Sequence, residues 1–431
     1  MLPQIAQPMQ EITISYGKSS LTFTVPDSVQ IDRIEPVSVP AASDPLALVQ
    51  QALTQPVGDV RVADFKGAQT AAIAINDKTR PVPHDVLLPL LLQQLESIGV
   101  QDITLIIATG THPVMSPEQY GMILPQEIIS RYRIICHDAE DSDMLVYLGM
   151  TPRGTPVWIN GHFLDADLHL VVGNMEPHQF MGFSGGVKSA AIGLAGKETI
   201  NRNHSMMTHQ GARLGTYEAN PARQDVEDIG QMIRVDFALS ALLNDKKQLI
   251  DAIAGEPQAV MQEGIPRVRS IFQVPVAQLY DVVVVSPGGH PKDINLYQAQ
   301  KGFAHARLIT RDGGTVILVA ACPEGTGSDS YEHWVTHNGL RSHEDVIERF
   351  STEGFRVGPH KAFQLSRDAS QVNLLFVSEM DPDFVRLLLL EPCANLQETI
   401  DRVIANSPLD ARIAVMPAAN ATIPVLTLHS T

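Results

Sequence analysis

Runs of consecutive apolar residues that alternate with helical patterns constrain this chain more than any other feature. AAIAI (71–75), DITLIIATG (102–110), RYRIICHD (131–138) and LHLVVGN (168–174) are separated by helical stretches such as HDVLLPLLLQQLESIG (84–99). The pattern restarts with DVVVVSPGG (281–289), GGTVILVAAC (313–322), NLLFVS (373–378) and RIAVMP (412–417), with helices predicted over 294–309, 342–354 and 396–407. Strands without polar alternation are buried on both faces, which requires parallel sheets covered by helices. The predicted class is therefore α/β: two Rossmann-like α/β domains with mainly parallel sheets, facing each other across an active-site cleft at their carboxyl ends. The alternation lapses around 255–276, which sets the expected domains at 1–265 and 266–431. Before the first repeat, ITISYGKSSLTFTVP alternates as a hairpin does, and DPLALVQQAL (44–53) reads as a helix.

Composition narrows the function classes. With 31 basic against 48 acidic side chains the net charge is −17, and no long basic run offsets it, so neither nucleic acid nor an anionic membrane is an expected partner. Three widely spaced cysteines, Cys136, Cys322 and Cys393, fit neither a disulfide framework nor a cysteine zinc site. No apolar run approaches the ~18–20 residues needed to span a bilayer, and the N-terminus lacks a basic start followed by an apolar stretch. The expected location is the cytoplasm.

Chemistry-bearing residues gather where strands end. The first strand leads into NDKTRP, with Asp77 and Arg80 three apart, and the second into ATGTHP, with His112. After the fourth comes GNMEPHQFMGFSGGVKS, then NRNH, placing His178, Lys188 and His204 around a Ser184-Gly185-Gly186 turn. A glycine turn opening a helix (187–196) leaves backbone N–H groups that suit a phosphate. In the second half, GGHPKDINLYQAQKG puts Tyr297 and Lys301 on one helix face, with Gln298 beside them. Taken singly, each has an ordinary explanation: a tight turn, a solvated lysine, a turn histidine, a polar helix flank. Four strand ends carrying Asp/Arg, His, His/Lys/His and Tyr/Gln/Lys are harder to assign to packing. His137, His162, His169 and His209 lack such a setting.

These motifs, in this order, resemble the nickel-pincer-nucleotide-dependent lactate racemase family, from the YGK hairpin to the final PAANATIP. The resemblance implies racemisation or epimerisation of a small 2-hydroxy acid by reversible hydride transfer. It implies nickel and a pyridinium-3-thioamide-5-thiocarboxylic acid mononucleotide, the nickel-pincer nucleotide, held covalently by Lys188. His204 would be the protein's nickel ligand, His112 and His178 the acid/base pair, and Asp77, with Ser184, Gly185 and Gly186, contacts to the cofactor. Arg80 and Lys301 would take the substrate carboxylate, with Tyr297 and Gln298 beside them and Phe363 as the aromatic residue over the substrate. Proteins that synthesise the cofactor would be partners. Two competing readings are an epimerase of longer sugar acids and a zinc hydrolase in which His112, His178 and His204 are three metal ligands.

Overall fold

The structure is a computed structural model and describes residues 8–427 apart from 81, 245, 338 and 409, so Pro81 of the NDKTRP motif lies outside it. The chain forms two units: Ser38–Ile271, and the residues up to Val37 together with those from Phe272 onward.

In the Ser38–Ile271 unit, six strands lie in the order Leu249–Gly255, Phe237–Leu243, Leu168–Asn174, Thr70–Asn76, Asp102–Ala108, Arg133–Cys136. All are parallel except Leu249–Gly255 at one edge. Ile73, Ile75, Leu105 and Ile107 are completely buried, and each such side chain contributes about 1.5–3 kcal/mol over an exposed one. The helix His84–Ser97 supplies Leu87, Leu88, Leu91 and Leu95 to the same core, positions that recur every three or four residues as one helix face requires. Strand order reverses at Thr70–Asn76. The chain steps outward through Asp102–Ala108 to Arg133–Cys136, then returns to Leu168–Asn174 on the other flank. Such a switch point splays the loops at the carboxyl ends and leaves a crevice there.

The other unit repeats the plan in the order Glu391–Cys393, Asn373–Val377, Thr310–Val319, Tyr280–Val285, Ile413–Met416, Ile31–Arg33, all parallel. Its switch point lies between Tyr280–Val285 and Ile413–Met416. None of the described helices is long and apolar enough to cross a membrane.

The expected boundaries differ from the observed ones at both ends. The hairpin Met9–Tyr16/Ser19–Pro26 falls in the expected first domain, but its inward residues Ile12, Ile14, Phe23 and Val25 share a core with Val282, Val284, Ile317 and Val319. Ile31–Arg33 extends that sheet beside Ile413–Met416, and the Gln397 amide bonds both the N–H and the carbonyl of Thr24, at 2.8 and 2.9 Å. Alternation reveals a hairpin but not the surface it will cover. At the other end, the split at 265/266 cuts the continuous helix Pro257–Phe272, whose Val260, Met261, Ile265 and Val268 are buried.

Candidate active site

At the first switch point, the strand ends are tied across the sheet by Asn76, whose Nδ2 donates to Asn174 Oδ1 at 3.0 Å. The next residue, Asp77, is buried, and both its oxygens are engaged. Oδ1 accepts the Thr79 hydroxyl at 2.8 Å and the Thr79 amide at 3.2 Å, and Oδ2 lies 2.8 Å from His112 Nδ1. Burial pushes this carboxyl up, but the hydrogen bonds from His112 and Thr79 and the charges of His112 and Arg80 outweigh it and hold it below the usual range. The Asp77 carboxylate thus positions the His112 ring. His112 follows the neighbouring strand and is part-exposed. Beneath its turn, buried His137 accepts the Thr109 hydroxyl through its carbonyl at 2.6 Å.

His178 and His204 both pack against one ring. Phe180 stands edge-on to both, with centroids 5.0 Å away in each case. His178 is held by the short pairing of Pro177–His178 with Gly182–Phe183, and its Nδ1 accepts the Met181 amide at 3.3 Å. His204 sits near the end of the helix Lys197–Ser205, anchored by its neighbour Asn203. The Asn203 amide donates to Ala222 O and Asp225 Oδ2, both at 2.9 Å. Fully buried Asp225 also takes the hydroxyls of Thr151 and Thr155. With both amide hydrogens committed, Asn203 Oδ1 can only accept, so His204 Nδ1, 3.2 Å away, carries the ring proton. Burial, then the nearby charge of Lys188, pushes this imidazole down to about 3. A neutral ring with its electron pair on Nε2 is the form that ligates nickel or zinc.

Lys188 opens a single helical turn, Lys188–Ala191, in place of the helix expected over 187–196. Burial, followed by the charges of Arg80 and Arg223, pushes its amine down to about 7, against the opposing effect of Glu176. Such an amine is substantially neutral near physiological pH and is a nucleophile. At the Ser184-Gly185-Gly186 turn the Ser184 amide is bonded to Glu176 O at 2.8 Å, and the helical turn that follows is too short to act by itself as an anion site. The Ser184 hydroxyl is used inside the loop, accepting from Glu176 N at 2.9 Å and lying 3.1 Å from Asn174 O. Gly186 has φ 57°, and a Cβ there would lie 2.8 Å from Met261 Cγ.

Sequence reasoning missed the group that holds this loop. Arg223, on the helix Pro221–Met232, is fully buried; it donates to Phe183 O and Gly185 O at 3.1 Å each, and to Glu227 Oε1 at 2.9 and 2.7 Å. An arginine and a glutamate four apart resemble a surface ion pair, and no signal in the sequence marks this one as interior. Arg223→Met should destabilise the protein by about 3–5 kcal/mol, because the Glu227 carboxylate loses its ion pair and the carbonyls of Phe183 and Gly185 lose the guanidinium. A fall in the urea unfolding midpoint would show it.

In the second unit, Tyr297, Gln298 and Lys301 lie on the helix Leu296–Arg307, capped by Asn295. Lys301 Nζ donates to Gln298 Oε1 at 2.7 Å. The Lys361 ammonium sits over the Tyr297 ring, 4.8 Å from its centroid, with the His360 ring 5.9 Å away. Phe363 does not join them. It is 3% exposed and stacked on Phe350 at 4.7 Å, so its ring is core, and the expectation of an aromatic residue over a substrate fails at this position. Among the described residues, no three His, Cys, Asp or Glu side chains come together as a metal site. The zinc hydrolase reading, which needs three such ligands, loses its basis; a single imidazole donor fits a metal whose other donors come from a cofactor.

The fold is a pair of α/β domains, and two relatives of this chain, named below, are isomerases. The chain belongs to the lactate racemase family: residues 16–215 match the lactate racemase N-terminal domain and 276–423 the lactate racemase C-terminal domain. It is 29% identical over 419 residues to the lactate racemase of Thermoanaerobacterium thermosaccharolyticum, covering 95% of this chain and 98% of that one. It is 28% identical over 422 residues to the lactate racemase of Lactiplantibacillus plantarum, with the same coverage. The solved apoprotein of the Thermoanaerobacterium enzyme superposes with a TM-score of 0.88 at 28% identity, over 96% of this chain and 100% of that one. A Thermotoga maritima protein, 16% identical, shares the fold at a TM-score of 0.65 over 90% of this chain and 100% of its own.

Proposed function

We propose that this chain racemises or epimerises a small 2-hydroxy acid of the lactate type, with a nickel-pincer nucleotide on Lys188 and His204 as the protein's nickel ligand. The observation that supports this reading most is the placing, in segments that follow the carboxyl ends of one sheet, of His178 and a neutral His204 on one phenylalanine ring, beside a lysine amine pushed toward neutrality. When bound, the cofactor supplies a reversible acceptor for the hydride at the substrate's α-carbon. The remaining work falls to the protein. Arg80 and Lys301 bind the carboxylate, Gln298 orients Lys301, and Tyr297 lies beside them. One of His112 and His178 takes the hydroxyl proton, and the other returns a proton once the planar keto acid has presented its opposite face. Inversion needs proton-transfer groups on two sides, whereas a dehydrogenase of one hand needs one. The three cysteines are free, as a reducing cytoplasm allows.

The test is co-expression with the cofactor's biosynthetic proteins, followed by metal analysis and incubation with enantiopure 2-hydroxy acids. Nickel binding and loss of optical rotation with a short acid such as lactate are expected. Turnover confined to polyhydroxylated acids would favour the sugar-acid epimerase instead.

A further inference from the structure

We infer that His112 and His178 are held in opposite tautomers, so that one ring presents a proton acceptor at Nε2 and the other a proton donor at Nε2 before any substrate arrives. The roles drawn from this rest on the proposed function; the tautomers themselves do not.

At His112, both neighbours of Nδ1 are acceptors. Asp77 Oδ2, at 2.8 Å, belongs to a carboxylate with no proton to give. Thr79 Oγ1 is 3.0 Å from Nδ1, but its one hydrogen is spent on Asp77 Oδ1 at 2.8 Å. Nδ1 must therefore carry the ring proton, and the neutral ring keeps its electron pair on Nε2. At His178 the reverse holds. Nδ1 accepts from the Met181 backbone N–H at 3.3 Å, and a backbone amide is always a donor. The ring proton of neutral His178 is therefore on Nε2.

An enantiomer whose hydroxyl lies toward His112 then meets an electron pair. Its mirror image, with the hydroxyl toward His178, meets an N–H. It can give up its proton only after that ring's proton has moved to Nδ1 and the Met181 bond has broken. Because the equilibrium constant between enantiomers is unity, kcat/KM is equal in both directions. The asymmetry therefore emerges as unequal kcat and unequal KM for the two hands. Asp77 is in this scheme a positioning residue, acting through His112.

The protein as expressed, without cofactor, suffices for the test. ¹⁵N-histidine labelling with long-range ¹H–¹⁵N correlation at pH 8 distinguishes Nδ1–H from Nε2–H rings. Signals among the 15 histidines are assigned with His112→Gln and His178→Gln. The expected result is Nδ1–H for His112 and Nε2–H for His178; the same tautomer at both overturns the inference, whatever the catalytic outcome. Asp77→Asn supplies a second readout. The Thr79 amide, an obligate donor, keeps the Asn oxygen on its own side, so the Asn NH₂ faces Nδ1 and His112 should switch to Nε2–H while His178 stays. A His112 still carrying Nδ1–H in that variant also overturns it; should the variant not fold, the wild-type spectrum alone decides. In loaded enzyme the same substitution should lower kcat by roughly 10²–10⁴-fold with little change in KM. Failure of every 2-hydroxy acid to racemise, with the tautomers as stated, would remove the functional reading and leave this one intact.

Discussion

Lys188→Ala, expressed beside the cofactor's biosynthetic proteins, should yield a folded chain of unmodified mass with no racemase activity. The side chain is part-buried but ends a loop held by Arg223 rather than by itself, so its removal costs the fold little. The wild-type chain should be heavier by the cofactor, and an equally heavy alanine variant would refute the attachment. The amine also offers a test that needs no cofactor. Pushed down to about 7 by burial and by Arg80 and Arg223, it loses its proton across neutral pH. Reductive methylation at Lys188 should therefore climb between pH 6 and 8 and flatten above. Ordinary lysines, with a pKa of about 10.4, keep gaining reactivity well beyond that. A rate still rising steeply at pH 9 would show a charged amine and count against the nucleophile.

His112→Ala and His178→Ala form the second large effect. Each should lower racemisation by roughly 10²–10⁴-fold. Nickel content should hold, because His204, its Asn203 anchor and Lys188 are untouched. The double variant should fall little below the slower single one, since one missing proton transfer already halts inversion. Stoichiometric nickel with lost turnover separates proton transfer from metal binding, whereas full racemisation in either single variant would end the acid/base assignment.

The sheets were legible in the sequence because their strands are unbroken apolar runs; LHLVVGN is the strand Leu168–Asn174 residue for residue. What escaped was structure whose composition imitates something else. FALSALL and LIDAIAG are strands whose small and polar residues dilute the apolar run. The helix Pro257–Phe272 falls in the stretch where the alternation lapses and a boundary is expected; inside it, a Cβ on Gly264 would fall 2.5 Å from Met175 Sδ. The histidines and Lys188 could be picked out as residue types at strand ends. Their settings could not, since Asp77, Asn203, Asp225 and Arg223 act through side-chain contacts that only the folded chain brings together. Phe363 failed for the same reason, since either face of an amphipathic helix can carry an aromatic ring.

That the N-terminal hairpin packs with residues from Phe272 onward has a consequence for synthesis. The hairpin and Ile31–Arg33 leave the ribosome before the Ser38–Ile271 unit, yet their partners at Tyr280–Val285 and Ile413–Met416 follow it. At ~5–20 residues per second, the apolar side of that hairpin waits tens of seconds without its core. The unit between has its whole sequence available first and can be complete before the outer one can close. A newborn chain would thus present a sticky ribbon while the later unit is still unfinished, and that ribbon is where a chaperone would be needed.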